Sequence, residues 1–265
     1  MDSIFRCAES EIEDVLGYRV FRYSVGICID QIIDRVNSGD KCHWLACINP
    51  HSYVVALKDK RFSMALHEAD WLIPDGSGIL FASRMLCGGI RRRITGSDIF
   101  SHLNAKINSL GGFSVFFLGA TPECLADIQL KIGLDFPHIR FAGSFSPPFK
   151  PEYSEEELEA MIATINQARP DVLWVGMTAP KQEKWIHQNF HKLDVRFAAA
   201  IGAVFEFYTG RVTRSHMLFQ NLGLEWLPRL LQQPRRLWRR TFVSAPIFIW
   251  HVFKAAIRLR LRRDG

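Results

Sequence analysis

The sequence predicts an α/β fold: a largely parallel, Rossmann-like sheet with helices on both faces, followed by an α-helical C-terminal appendage. Short β-branched or aromatic runs alternate with amphipathic stretches as far as about residue 210. Helix-length segments between consecutive runs imply crossover connections, which join parallel strands. Beyond that point the apolar spacing is helical only. We therefore divide the chain into an α/β domain, 1–210, and a basic appendage, 211–265.

The predicted elements follow from apolar spacing and from helix start signals. The strands are 18–22, 43–48, 70–73, 113–118, 138–142, 171–176 and 195–200. The helices are 28–38, 51–68, 77–87, 97–109, 122–132, 154–168 and 180–190. Ser154 and Glu157 form a capping box, and Thr121-Pro122 supplies an N-cap followed by proline at the first helical position. Segment 143–153 is predicted to be an ordered loop.

Length and cysteine usage indicate a protein of a reducing compartment. A chain of 265 residues can bury a full hydrophobic core without disulfides. Its six cysteines contain no C-x-x-C pair and no cluster at zinc spacing. Acidic residues stand in the first twenty positions, where a secretory signal would have a basic start and an apolar run. We therefore expect a cytoplasmic protein with reduced thiols.

Positive charge is concentrated at the C-terminus. Residues 205–265 contain twelve Lys/Arg against three Asp/Glu, a net charge of about +9, within a chain whose total is +6. Such asymmetry predicts a polyanionic partner, either nucleic acid or an anionic membrane surface. Composition alone leaves both open.

Polar residues follow the predicted strands at the ends where open parallel sheets bind ligands. Asn49-Pro50 follows strand 43–48, segment 74–78 follows 70–73, and segment 177–183 follows 171–176. Asp75 stands out because it opens an otherwise apolar helix, where a carboxylate suits a general base acting on a hydroxyl. The alternative is an N-cap that binds helix amides.

The other candidates also have simpler interpretations. Asn49 is often only a turn residue, and Lys181 and Gln182 either hold a phosphate at a helix start or are simply solvated. No D-x-D element is present to hold a divalent cation, so arginines such as Arg93 would have to meet the charge of a nucleotide diphosphate. No G-x-G-x-x-G fingerprint follows a strand, which argues against a nicotinamide or flavin dehydrogenase.

The last predicted helix has a polar stripe on an otherwise apolar surface. His251, Lys254, Arg258 and Arg262 recur at spacings of three and four. The apolar run 242–257 is shorter than the roughly 20 residues that span a bilayer. We therefore expect an interfacial helix in the headgroup region rather than a membrane span. Docking on the protein core or on a second subunit is the alternative.

Together these motifs resemble the WecG/TagA/CpsF glycosyltransferases, glycosyltransferase family 26. The matching segments are Asn49-Pro50, Ala69-Asp70-Trp71-Leu72-Ile73-Pro74-Asp75-Gly76, Arg93-Ile94-Thr95-Gly96-Ser97-Asp98, Ser146-Pro147-Pro148-Phe149, Pro180-Lys181-Gln182-Glu183, Gly202-Ala203, Leu224-Glu225-Trp226-Leu227 and Pro234-Arg235-Arg236-Leu237-Trp238-Arg239-Arg240. They extend in order over about 18–242. The resemblance implies an inverting, metal-independent transferase that moves a sugar from a UDP-sugar to a polyprenyl-diphosphate-linked saccharide, on the inner leaflet of the cytoplasmic membrane, in the synthesis of cell-surface polysaccharide or exopolysaccharide.

The resemblance also implies roles for individual residues. Asp75 is then the catalytic base, and the appendage arginines close over the site and engage diphosphate: Arg229, Arg236 and Arg239. The donor pocket is then formed by Asn49, Arg93, Gln182, Glu206 and Cys47. No cofactor or metal is expected beyond the UDP-sugar substrate, and no nucleic acid partner. Self-association stays open.

Three departures from the family pattern affect the pocket. Cys47 stands in place of a small hydroxyl residue, Glu206 in place of aspartate, and Ser215-His216 in place of Ala-Pro. The donor therefore stays open among N-acetylmannosamine, its uronic acid and glucose. Two other functions compete with the transferase: a nucleotide-sugar oxidoreductase or epimerase, and a non-enzymatic membrane-surface adaptor that uses the basic tail.

Overall fold

A computed structural model of the chain describes residues 11–39, 42–212 and 238–263. The strands are β1 Ile12–Val15, β2 Tyr18–Phe21, β3 His43–Ile48, β4 Trp71–Pro74, β5 Ser114–Gly119, β6 Arg140–Phe145, β7 Val172–Gly176 and β8 Phe197–Ala200. The helices are α1 Val25–Ser38, α2 Pro50–Ala56, α3 Lys60–Glu68, α4 Ser77–Met85, α5 Gly96–Leu110, α6 Pro122–Asp135, α7 Glu155–Ala168, α8 Lys181–Asn189, α9 Val204–Tyr208 and α10 Ala245–Arg263. A 3-10 turn, Phe190–Lys192, follows α8, and a π-helical turn, Arg240–Ser244, leads into α10.

Six strands form a parallel sheet in the order β4-β3-β8-β7-β5-β6. All six residues of β5 are buried, which is why this strand reads as a continuous apolar run. Its side chains alternate between two hydrophobic layers: Phe116 and Leu118 belong to one, and Val115 and Phe117 to the other. The sheet is thus covered on both faces, and the predicted α/β class is confirmed.

The first predicted strand lies outside this sheet. β2 pairs antiparallel with β1 in a separate two-stranded hairpin. Leu16 and Gly17 connect the two strands with φ values of 55° and 90°, as a type I′ hairpin loop requires. The expectation that segment 18–22 joins the parallel sheet was therefore wrong, because its partner is the neighbouring strand, reached through a tight turn.

The helix boundaries agree closely with the caps that the sequence offered. Ser154 and Glu157 form the predicted capping box, and the Thr121 side chain accepts a hydrogen bond from the Cys124 amide at the start of α6. The single helix predicted over 51–68 is two helices, because Asp59 caps a new one by accepting a hydrogen bond from the Phe62 amide at 3.0 Å.

The C-terminal helix packs on α2 and α4 of the α/β body. Its inward face repeats every four residues and is buried: Ser244, Phe248, Val252 and Ala256. Two polar contacts hold this face in place. The His51 Nδ1 lies 2.8 Å from the Ser244 Oγ, and the Tyr53 hydroxyl lies 2.9 Å from the His251 Nδ1. His251 therefore faces the protein and not the surface occupied by Lys254 and Arg258.

Candidate active site

Four adjacent strands bring the predicted site residues to one edge of the sheet. β4, β3, β8 and β7 are neighbours, and their carboxyl ends lead into the loops that hold the candidates. Backbone hydrogen bonds tie these ends together: the Asp75 amide donates to the Ile48 carbonyl at 2.8 Å, and the Ile201 amide donates to the Val175 carbonyl at 3.1 Å. The edge is therefore one continuous surface, as a ligand site in an open α/β sheet requires.

Asp75 lies half-buried between the end of β4 and the start of α4. The N-cap of α4 is Gly76, at a φ of 95°, so Asp75 precedes the capping position. The N-cap position itself is therefore occupied by Gly76. A Cβ on Gly78 would collide with the ring of Pro50, which means that the Asp75 turn and the Asn49-Pro50 turn pack directly against each other.

Asn49 caps α2. Its Oδ1 accepts hydrogen bonds from the amides of His51 at 3.0 Å and Ser52 at 2.9 Å, and the Ser52 hydroxyl completes a capping box. The Oδ1 of Asn49 therefore has a structural role at the helix start. A contact to a ligand would therefore use the Nδ2 donor.

Arg93 is half-buried in the loop before α5. The Ile94 amide donates to the Pro74 carbonyl at 3.0 Å, which places this loop beside the end of β4 and therefore beside Asp75. The N-terminal hairpin supports the same loop, because Glu13 accepts hydrogen bonds from the amides of Gly89 and Ile90. Sequence reasoning missed this contribution of the hairpin.

Gln182 is only 3% exposed and links two loops of the site. Its Oε1 accepts hydrogen bonds from the amides of Met177 at 3.2 Å and Gly202 at 2.9 Å, which follow β7 and β8. Its Nε2 donates to the Glu183 Oε1 at 2.9 Å. The structure therefore gives Gln182 the task of fixing the loops, whereas its predicted contact with the donor stays a prediction.

Glu183 was not singled out from the sequence. Its side chain is 2% exposed, and burial raises the pKa of the carboxyl to about 7. A glutamate in the first turn of a helix normally faces solvent, so the motif Pro180-Lys181-Gln182-Glu183 gives no sign of this burial. The only available signal is that Glu183 follows directly after a residue of the predicted pocket.

Cys47 lies on β3 with its Sγ 3.7 Å from the Ala200 carbonyl. Burial raises the pKa of its thiol well above the usual value, and the negative charges of Asp75, Glu183 and Asp98 raise it further. Cys47 is therefore a neutral thiol and not a nucleophile. Asp75 and Glu183 thus both act electrostatically on the Cys47 thiol.

The remaining predicted residues lie on α9, before the C-terminal helix or outside the described part of the chain. Glu206 is half-buried on α9, where its backbone carbonyl accepts from the Val212 amide at 3.1 Å. Arg239 is exposed, and its guanidinium carbon lies 5.8 Å from the centre of the Trp238 ring. Arg229 and Arg236 lie outside the described residues. Within the described ranges, no group of three or more His, Cys, Asp or Glu side chains is arranged to hold a metal ion.

Comparison with known proteins identifies the family. A sequence model of the WecG/TagA/CpsF glycosyl transferase family matches residues 13–262. The chain is 31% identical over 215 residues to the N-acetylglucosaminyldiphosphoundecaprenol N-acetyl-beta-D-mannosaminyltransferase of Bacillus spizizenii, covering 81% of this chain and 80% of that enzyme. The enzyme of the same name from Staphylococcus aureus is 28% identical over 217 residues, covering 82% of both chains. The sheet edge that holds Asp75 thus belongs to a glycosyltransferase, and the chain is a member of the WecG/TagA/CpsF family.

Proposed function

We propose that the protein is an inverting, metal-independent glycosyltransferase that moves a hexose-type sugar from a UDP-sugar to a polyprenyl-diphosphate-linked saccharide. The observation that carries the proposal is Asp75, half-buried at the carboxyl end of β4 and flanked by the Asn49 turn and the Arg93 loop. The relatives named above supply the substrate class. Their names specify N-acetylmannosamine as the sugar and an N-acetylglucosaminyl-diphosphoundecaprenol as the acceptor, so these are the first pair to test.

The proposed reaction is a single displacement. The Asp75 carboxylate takes the proton of the acceptor hydroxyl, whose oxygen attacks the anomeric carbon. The bond from that carbon to the UDP oxygen breaks, and its electron pair leaves with UDP. An α-linked donor thereby gives a β-glycoside.

Arginines supply the positive charge that the leaving diphosphate needs. Arg93 lies beside the end of β4, and Arg229, Arg236 and Arg239 belong to the appendage. Charge-assisted hydrogen bonds from guanidinium groups are strong and often bidentate, which suits a diphosphate. Asn49, Cys47 and Glu206 would line the sugar and nucleotide subsites, and Gln182 would shape them by holding the loops.

The C-terminal helix suits a protein that works at a membrane surface. The continuous segment Arg240–Leu261 has 22 residues and is long and apolar enough to cross a bilayer by length and composition. The run 242–257 alone is too short for a membrane span, but the longer helical segment is not. Length therefore does not exclude a span. However, one face of the helix is docked on α2 and α4, whereas large apolar side chains on the remaining surface are exposed: Phe242, Ile249, Trp250, Phe253, Ile257 and Leu261.

A helix docked along the body and apolar on its outer side fits the interfacial arrangement better than a span. Lys254 and Arg258 are exposed on the same helix, where anionic headgroups would meet them. We accordingly place the enzyme at the cytoplasmic face of the inner membrane, in the synthesis of a cell-surface polysaccharide or exopolysaccharide.

A donor panel tests the proposal. Purified protein is given UDP-N-acetylmannosamine, its uronic acid counterpart or UDP-glucose, with and without a polyprenyl-diphosphate-linked N-acetylglucosamine. We expect slow UDP release without acceptor, faster release with it, and a β-linked disaccharide product. Interconversion of the free nucleotide sugar would indicate an epimerase or oxidoreductase. Liposome binding without any turnover across the panel would indicate an adaptor.

A further inference from the structure

The buried carboxyl group of Glu183 lies next to Gln182, which links the loops after β7 and β8. The Glu183 Oε1 accepts a hydrogen bond from the Gln182 Nε2, but its Oε2 is buried without a hydrogen-bond partner in the described part of the chain. Leaving a buried polar atom unpaired is unfavourable, and more so when the group is charged. Such an arrangement calls for a role beyond packing.

Glu183 contributes to fixing which way the Gln182 amide points. The Gln182 Oε1 accepts from the amides of Met177 and Gly202, and its Nε2 donates to Glu183. A flip of this amide would set its NH2 group against two N–H donors and its oxygen against a carboxylate. Glu183 therefore locks the bridge between the loops after β7 and β8.

Positive charge also acts on Glu183 through space. Arg240, at the start of the π-helical turn, and Lys184, on α8, both favour the ionised carboxyl and so lower its pKa against the effect of burial. The Lys184 Nζ also pairs with the Asp59 Oδ2 of α3 at 2.9 Å, so its charge is shared. The charge of Glu183 in turn helps to raise the pKa of the Cys47 thiol on β3. Arg240 is thus the charge that the C-terminal helix contributes.

We propose that Glu183 is a positioning residue: with Arg240 of the C-terminal helix as its charge partner, its carboxylate holds the Gln182 amide and thereby keeps the loops after β7 and β8 in the arrangement that binds the UDP-sugar. The role of these loops in UDP-sugar binding rests on the proposed function. The link from Arg240 through Glu183 and Gln182 to the amides of Met177 and Gly202 is independent of the proposed function.

A double-mutant cycle tests the link. Glu183→Gln removes the charge but keeps an oxygen that can accept from Gln182, and Arg240→Gln removes the partner. We expect each variant to raise KM for the UDP-sugar about fivefold to tenfold with a smaller change in kcat, which lies within the range of coupling between residues of one interaction network. The double variant should be no worse than the worse single one. Glu183→Ala should raise KM further, because it also removes the acceptor for the Gln182 Nε2.

Hydrogen exchange provides a readout that does not depend on turnover. The amide protons of Met177 and Gly202 should exchange several-fold faster in both single variants, and no faster again in the double variant. Glu159→Gln and Arg260→Gln, at exposed positions of α7 and α10, are matched controls and should leave both amides unchanged.

The two proposals fail in different ways. If the effects of Glu183→Gln and Arg240→Gln multiply, or if exchange at Met177 and Gly202 is unchanged in both, Glu183 does not connect the helix to the loops. If the wild-type protein neither binds nor consumes a UDP-sugar, the proposed function is wrong, and the exchange data still decide the positioning role. Should Glu183→Ala fail to fold, the glutamine variants carry the test.

Discussion

The Nδ1 of His51 lies 2.8 Å from the Oγ of Ser244, and this contact joins the first turn of α2 to the turn that leads into the C-terminal helix. His51 comes two residues after Asn49, whose side chain caps the same helix. Burial, reinforced by the positive charge of Arg240, lowers the pKa of His51 to about 4. His51 is therefore neutral at physiological pH, and the docking of the helix depends on that neutrality.

Acidification should weaken this docking. Because the folded-state pKa of His51 lies near 4 and the unfolded value near 6.5, the unfolded chain binds the proton more readily between these values. Stability from this residue is thus complete above about pH 6.5 and is lost as the pH falls towards 4. After allowance for solvent screening we expect a loss of about 1–2 kcal/mol.

Glu183 should oppose that trend. The folded-state pKa of its carboxyl is raised to about 7, so its contribution is complete below about pH 4.5 and is lost as the pH rises towards 7. The contributions of His51 and Glu183 to the pH dependence of stability are therefore best distinguished with variants. In urea titrations from pH 4 to 7, His51→Gln should lose less stability on acidification than the wild type. Equal losses in both proteins would contradict the assignment.

Asp75→Asn should lower turnover by about 10²-fold to 10⁴-fold, which is the usual contribution of a positioned general base. UDP binding and folding should be nearly unchanged, because the amide retains the shape of the carboxylate. The measurement is the initial rate of UDP release in the presence of acceptor, with calorimetry for UDP binding. Activity within threefold of the wild type would eliminate Asp75 as the base.

Turnover should survive excess EDTA, since guanidinium groups are expected to stabilise the leaving diphosphate. The check is the rate before and after chelation, with magnesium or manganese added back. A strict requirement for either ion would show that a cation, and not the arginines, meets the leaving charge.

The C-terminal region should divide its work between two sets of residues. Replacement of Arg229, Arg236 and Arg239 by alanine should abolish turnover while the protein still sediments with anionic liposomes. Trp250→Glu combined with Phe253→Glu should abolish sedimentation but keep turnover in detergent with a short-chain soluble acceptor. Full turnover of the arginine variant, or unchanged sedimentation of the glutamate variant, would contradict this division.

Gly78→Ala should disturb the site through packing alone. The added methyl group would collide with the Pro50 ring and push apart the Asp75 and Asn49 turns, at a cost of about 1–3 kcal/mol. Gly133→Ala on α6 is the matched control, since no atom lies within 4 Å of its added Cβ and alanine favours a helix. Thermal melts and UDP-release rates should fall for the first variant only.

The sequence predicted the parallel sheet well because the strands are buried on both faces and read as short apolar runs. The sequence did not predict β1, because Glu13 and Asp14 interrupt its apolar pattern. It assigned β2 to the wrong sheet, because the residues of a strand do not indicate which strand it pairs with. The site was predicted as a set of loops at strand ends, and the sheet order shows that four of these strands, β4, β3, β8 and β7, are neighbours. The buried bridge from Gln182 to Glu183 could not be predicted, since helix starts are usually solvated.

The docking of the C-terminal helix at His51 and Tyr53 fixes the position of this helix on the α/β body. If the outer side of that helix rests on the bilayer, the distance from Asp75 to the lipid surface is determined by protein geometry and does not vary from one encounter to the next. The enzyme would then select acceptors by their length. Only an acceptor whose hydroxyl stands at that height above its membrane-anchored diphosphate would reach the base, so chain length as well as sugar identity would select the substrate.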